Sequence, residues 1–226
     1  TNSQRLTLVT RCCTEVAWVS KHEFDKVFLD GENKIYLADV KERIVDCPND
    51  ADLRAWGGPA PTPECKPVPL EQQSLNLALT RHVLERDMPL LAVCFGMQML
   101  GLAHEAGFDQ HMELHADHTK GIEHPVKLAA DSRMAEVIGS TDFAVPSFHH
   151  QALKDAGHAQ DAPLPGGLRA VGWAPDGTLE AVEVPTARFA LGVQWHPERA
   201  PASAASRALF SRFVAAAAAY RSLQTA

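Results

Sequence analysis

The sequence predicts an α/β protein of three layers, with a mostly parallel central sheet, helices on both faces and a small antiparallel addition. Three observations carry this expectation. Helical and strand-like runs alternate through the first half, as crossover connections require. The second half is a series of short apolar runs separated by turn signals such as "PDG" and "PGG". The chain then closes on a long Ala-rich helix. With 226 residues, 46% of them hydrophobic and 22% charged, it is long enough for one core and reads as a single domain over 1–226.

Taken in order, "RLTLVTRCC" is a first strand, and "TEVAWVSKHEFDKVF" carries Val16, Val19, Phe24 and Val27 at helical spacing. Lys34–Leu37 reads as a strand and Asp39–Val45 as a short helix. "GGPAPTPECKPVP" is too rich in proline and glycine for a regular element and must be a loop. "LEQQSLNLALTRHVLERD" repeats leucine at 70, 75, 77, 79 and 84 between polar residues, and reads as a helix feeding the strand "PLLAV". After Cys94 the run "FGMQMLGLAHEAG" has helical periodicity up to Gly107, a suitable helix C-terminus. "GIEHPVKLA", "DFAVPSF", "GLRAVGWA", "TLEAVEV" and "RFALGVQW" are strand-like, and the final helix has Leu209, Phe210, Phe213 and Val214 as its apolar stripe.

Several function classes are disfavoured. The net charge is −7 and no basic stripe is visible, so a nucleic-acid partner is not expected. No apolar run approaches the roughly 18 residues of a membrane helix, and "TNSQRLTLVT" lacks the layout of a signal peptide, which makes a cytoplasmic location the expectation. Cys12, Cys13, Cys47, Cys65 and Cys94 are odd in number and irregularly spaced, unlike a disulfide framework. His104, His111, His115, His118 and His124 match no ligand spacing, so no metal is expected, and thiol hydrolysis needs neither a metal nor a cofactor. A homo-oligomer is compatible with the sequence.

The chemistry concentrates in "PLLAVCFGMQML". A nucleophile on a strand-to-helix elbow needs small residues two before and two after it, and Ala92 and Gly96 fit around Cys94. The thiol would lie at the positive end of the helix, where unpaired amides favour a thiolate. The Phe95 amide would be free to donate to an oxyanion. A base and its orienting carboxylate are offered by "GVQWHPER": on a strand continuing "RFALGV", His196 and Glu198 share a face.

Together these pieces resemble the class I glutamine amidotransferase superfamily, and within it the gamma-glutamyl hydrolases of the peptidase C26 type. "SFHHQALKDAG" and "WAPDGTLEAVE" are similar to stretches that those hydrolases carry between nucleophile and histidine, and the likeness runs from about Leu70 to the C-terminus. The resemblance implies a flavodoxin-like, amidotransferase-like fold with Cys94, His196 and Glu198 as the catalytic triad. It implies a second oxyanion amide from Gly58 beside that of Phe95, and substrate contacts from Gln98, Ser147, Phe148 and His149. Read from the residues alone, His149 and His150 are equally well ordinary strand or turn residues. The chain departs from the family in three places: Phe95 stands where many members have arginine, Ala92 where they have glycine, and Glu64 is displaced from the double glycine.

The expected activity is cleavage of a small-molecule gamma-glutamyl amide to glutamate and an amine through a thioester. The alternatives are a glutaminase subunit that hands ammonia to a synthase partner, and a non-catalytic regulatory descendant of the fold.

Overall fold

The computed structural model describes the backbone of residues 6–10, 18–19, 50–113, 115–154 and 163–224, with the side chains of these from residue 50 onward except 115 and 224. The strand expected at 34–37 and the helix at 39–45 lie outside the described residues. An eight-stranded mixed sheet forms the middle of the molecule. Its parallel part is β1 (Leu6–Thr10), β3 (Leu90–Val93) and β10 (Ala190–Val193), with β3 between the other two. A short strand β2 (Trp18–Val19) pairs antiparallel with the start of β1. This corrects the helix read over "TEVAWVSKHEFDKVF" at those two residues, where an aromatic next to a β-branched residue suits an extended edge. The rest of that run is not among the described residues.

Beyond β10 the sheet continues antiparallel through β9 (Leu179–Glu183), β8 (Arg169–Trp173), β5 (Ile122–Leu128) and β6 (Asp142–Ser147). Among the described residues this antiparallel part is larger than the parallel one. Prolines mark its limits, since proline cannot donate to a ladder. Pro146 sits on the edge strand β6, and β5, which contains Pro125, pairs with β8 only at Lys127 and Leu128. A separate two-stranded ribbon joins β4 (Phe108–Asp109) to β7 (Ala152–Leu153).

Alternate residues of β3 point to opposite faces, and each face is covered by helices. Leu91 and Val93 join a core with Met134 and Ile138 of α3 (Arg133–Ile138) and with Leu209, Phe210 and Phe213 of α4 (Ala204–Gln224). Leu90 and Ala92 face Val83 of α1 (Leu70–Glu85) and Met97 and Leu100 of α2 (Phe95–Ala103). The helix after Cys94 ends at Ala103, short of the expected Gly107, because residues 104 and 105 turn back toward β4.

Helix α1 shows why a leucine count is a poor guide to the buried face. Leu70 and Leu75 are 42% and 55% exposed, while Gln73, Asn76 and Thr80 are buried. The buried polar groups are matched: Gln73 accepts from the Asp52 amide at 2.9 Å and donates to the Val68 carbonyl at 2.6 Å, and Thr80 donates to the Asn76 carbonyl at 2.8 Å. The polar face thereby ties the irregular segment 50–68 to the helix.

Gly192 of β10 lies level with Ala92, and a Cβ there would fall 2.8 Å from Val182 Cγ2 and 3.1 Å from Met97 Cγ. Helix α2 therefore rests on bare strand backbone. Gly192→Ala is expected to destabilise the fold by about 1–3 kcal/mol through overpacking, read as a thermal midpoint lower by roughly 2–4 °C per kcal/mol. An unchanged midpoint would mean that α2 can slide without penalty.

Candidate active site

Cys94 joins β3 to α2 with φ 51° and ψ −109°, a left-handed conformation that a side chain rarely tolerates. Hydrogen bonds on both sides over-determine it. Its amide donates to the Val193 carbonyl at 2.7 Å, and its carbonyl accepts from the Gln98 amide at 3.1 Å. Cys94 is the N-cap of α2 and its side chain accepts no capping bond, so the first-turn amides, that of Phe95 among them, have no intrahelical acceptor.

His196 and Glu198 follow β10 but not as a continued strand. Pro197 has no N–H to extend a ladder and fits the first position of a helix, so residues 197–199 form a single 3-10 turn with His196 as its N-cap. The turn still brings His196 Nδ1 within 2.6 Å of Glu198 Oε1, so Nδ1–H donates to the carboxylate and the other ring nitrogen is left for Cys94. Burial alone would lower the pKa of His196. The electrostatic pull of Glu198 and Cys94, with a hydrogen bond from the ring to each, outweighs burial and pushes it up to about 9. The imidazolium is thus held between Glu198 and Cys94.

The other predicted residues are placed in different ways. Gln98, buried on α2, donates to the Gln151 carbonyl at 3.3 Å and to Gln194 Oε1 at 3.5 Å, while its own Oε1 makes no hydrogen bond. Phe148 stands edge-on to the His196 ring, 5.8 Å between centroids, and carries the Arg199 guanidinium 3.7 Å above its own ring. It holds the imidazole in place. Ser147 is fully buried, and its Oγ makes no hydrogen bond. His149 turns the other way: Nδ1–H donates to the Gln151 carbonyl at 3.0 Å and Nε2 lies 3.3 Å from buried Glu180.

Gly58 is near the site through its neighbours but is engaged elsewhere. Its amide donates to the Leu53 carbonyl at 2.9 Å, closing the 3-10 turn Leu53–Trp56, whose C-cap Gly57 takes the left-handed conformation that glycine allows. The Phe95 ring packs inward with Ala51, Val68, Met99 and Leu102, and so anchors this segment to α2. In this arrangement the Phe95 amide is available as an oxyanion donor and the Gly58 amide is not.

Two glutamines were not singled out from the sequence. Gln194 is buried, its Nε2–H donates to Cys94 Sγ at 3.5 Å, and its amide donates to the Glu180 carbonyl at 2.8 Å. Gln151 accepts from the Ala51 amide at 2.7 Å and so joins segment 50–52 to the start of β7. Gln194 had a readable signal, since it sits two residues before His196 on the run that ends β10.

Proton NMR titration of the His196 ring is expected to give a pKa near 9. Both Cys94→Ala and Glu198→Gln remove a negative neighbour, so each should lower that value. A value unchanged by either would place the ring away from that partner.

The Peptidase C26 family pattern matches residues 55–198, which span the elbow and the His-Glu turn. A Mycobacterium tuberculosis protein whose name assigns it provisionally to the glutamine amidotransferases is 35% identical over 183 residues, 78% of this chain and 55% of its own length. The gamma-glutamyl-gamma-aminobutyrate hydrolase of Escherichia coli O157:H7 is 30% identical over 184 residues, 75% of this chain and 68% of its own length. The chain thus spans about half to two thirds of these relatives. In fold, a Thermoplasma acidophilum protein described provisionally as part of a GMP synthase aligns with a TM-score of 0.53 at 17% identity, covering 69% of this chain and 70% of that one. Among the described residues no helix is long and apolar enough to cross a membrane. With its fold, its elbow and this family match agreeing, the chain belongs to the peptidase C26 family and has the α/β fold of the class I glutamine amidotransferases.

Proposed function

We propose that the protein is a cysteine-dependent hydrolase that cleaves a gamma-glutamyl amide to glutamate and an amine. The observation that carries this reading is the His196 ring, buried and charged between Cys94 and Glu198. A thiolate and an imidazolium are the two reactants that acylation of a thiol requires. Cys94 Sγ forms a bond to the gamma-carbonyl carbon, the carbonyl oxygen takes the negative charge, and the Phe95 amide donates to it. As the tetrahedral centre collapses, the C–N bond breaks and the His196 proton passes to the leaving amine. Neutral His196 then takes a proton from water, which attacks the thioester. Collapse of the second tetrahedral centre releases glutamate and restores the thiolate. Glu198 keeps the ring in the tautomer that both steps need.

The E. coli relative supports an amine other than ammonia as leaving group. A second reading, a glutaminase component that works with a synthase, is favoured by the Gly58 amide, which is spent on Leu53 and would have to turn before it could serve as second oxyanion donor. One missing donor reduces the rate by about 10² to 10³, so a partner that turned this loop would switch the enzyme on.

Glutamate release from a panel of gamma-glutamyl amides by the purified chain alone is expected. Hydrolysis confined to glutamine, and stimulated only by added synthase, would favour the second reading. Cys94→Ala and His196→Asn are expected to reduce kcat by at least about 10⁴-fold with the fold intact, and Glu198→Gln by roughly a hundredfold less than these. Retention of more than a few per cent of the rate by Cys94→Ala would end the mechanism. Because His196 supplies the acid only while protonated, kcat/KM should fall as pH rises through about 9.

A further inference from the structure

Behind the catalytic histidine, four buried side chains meet. We propose that His118, His124, His149 and Glu180 form a closed binding site for one divalent metal ion of the zinc class. This site is independent of the hydrolase reading. The four residues come from different elements: His118 from the 3-10 turn His115–His118, His124 from β5, His149 from the loop after β6, and Glu180 from β9. Glu180 Oε1 lies 3.2 Å from His118 Nδ1, 3.5 Å from His124 Nε2 and 3.3 Å from His149 Nε2. A tetrahedral ion with bonds of about 2.0–2.1 Å separates its ligand atoms by roughly 3.3 Å. Donor atoms of His118, His124 and Glu180 all lie within 4.8 Å of one another; His149 Nε2, 3.3 Å from Glu180, stands outside that group and would close on the ion as fourth ligand.

The proton accounting is what makes this more than a cluster. Each imidazole turns its outer nitrogen to an oxygen that can only accept: His118 Nε2 to Asp176 Oδ2 at 2.8 Å, His124 Nδ1 to the Pro125 carbonyl at 3.1 Å, and His149 Nδ1 to the Gln151 carbonyl at 3.0 Å. In neutral rings the single proton therefore sits on the outer nitrogen, and three lone pairs face a carboxylate oxygen. Acceptors opposed in this way need a positive charge between them. As they stand, His118 Nδ1, His124 Nε2 and Glu180 Oε2 are buried and make no hydrogen bond. One cation would use these atoms together.

The donor set also selects the ion. Three imidazoles and one carboxylate suit zinc and its neighbours, whereas magnesium and calcium require mostly oxygen. The outer acceptors, above all the Asp176 carboxylate, are the partners that orient metal-bound histidines. With four protein ligands and Glu180 fully buried, the ion would be structural. It would brace the wall that seats Phe148 against His196, and the Glu180 carbonyl that holds Gln194 under Cys94.

The test uses the full chain without an affinity tag. Metal analysis of the purified protein is expected to find about one zinc per chain. After the metal is stripped with a chelator, calorimetric titration with Zn²⁺ should show one site, and the thermal midpoint should rise with Zn²⁺ concentration. Co²⁺ in its place should give the visible absorption of a tetrahedral centre. Glu180→Gln should weaken Zn²⁺ binding at least a hundredfold, and Asp176→Asn, a partly exposed outer partner, by about 10- to 100-fold. Failure of the stripped wild-type chain to bind Zn²⁺ overturns the proposal. So does Zn²⁺ affinity unchanged in Asp176→Asn, which would mark the binding as adventitious.

Discussion

Cys94 must hold a left-handed backbone without the freedom of glycine, and most of the described architecture serves that constraint. A residue in such a conformation is disfavoured by about 1–3 kcal/mol and persists only where its surroundings leave no other choice. Those surroundings are β10, whose Val193 carbonyl takes the Cys94 amide, and α2, whose first turn takes its carbonyl. Gly192 lets α2 lie close against β10. The parallel pair β3 and β10 thus delivers the sulfur from one strand and the imidazole from just past the end of the other.

Around this junction lies a ring of buried amides. Gln98, Gln151 and Gln194 exchange hydrogen bonds with one another, with Cys94 and with the segment before the proline-rich loop. Such neutral dipoles orient charged groups without adding charge of their own, and in a dry interior their geometry is costly to disturb. His196 is the one ionised ring they surround, with Phe148 and the Arg199 guanidinium stacked beyond it.

Most of the sheet was legible. β-branched, apolar runs between turn signals located β3, β5, β6, β8, β9 and β10, because strand composition and turn chemistry are local properties. The meeting of Cys94, His196 and Glu198, the proposed triad, was legible for a similar reason, since the elbow demands small neighbours around the thiol and the His-x-Glu spacing sits just past a strand. The expected strand geometry of "WHPE" was replaced by a turn at Pro197, and yet the same two residues meet. Three short elements escaped the local signals or ran against them: α3, the ribbon of β4 with β7, and the Trp18–Val19 strand, which depends on its partner β1.

What the residues determined by themselves was the α/β pattern and the proposed nucleophile with its proposed base, because each depends on neighbours a few positions away. Tertiary structure alone decided that α1 buries glutamine and leaves leucine outside, and that Glu180 gathers histidines from three separate stretches. These are contacts between segments far apart along the chain. No periodicity records them, since each is selected by which hydrogen-bonding groups the folded chain would otherwise leave buried and unmatched.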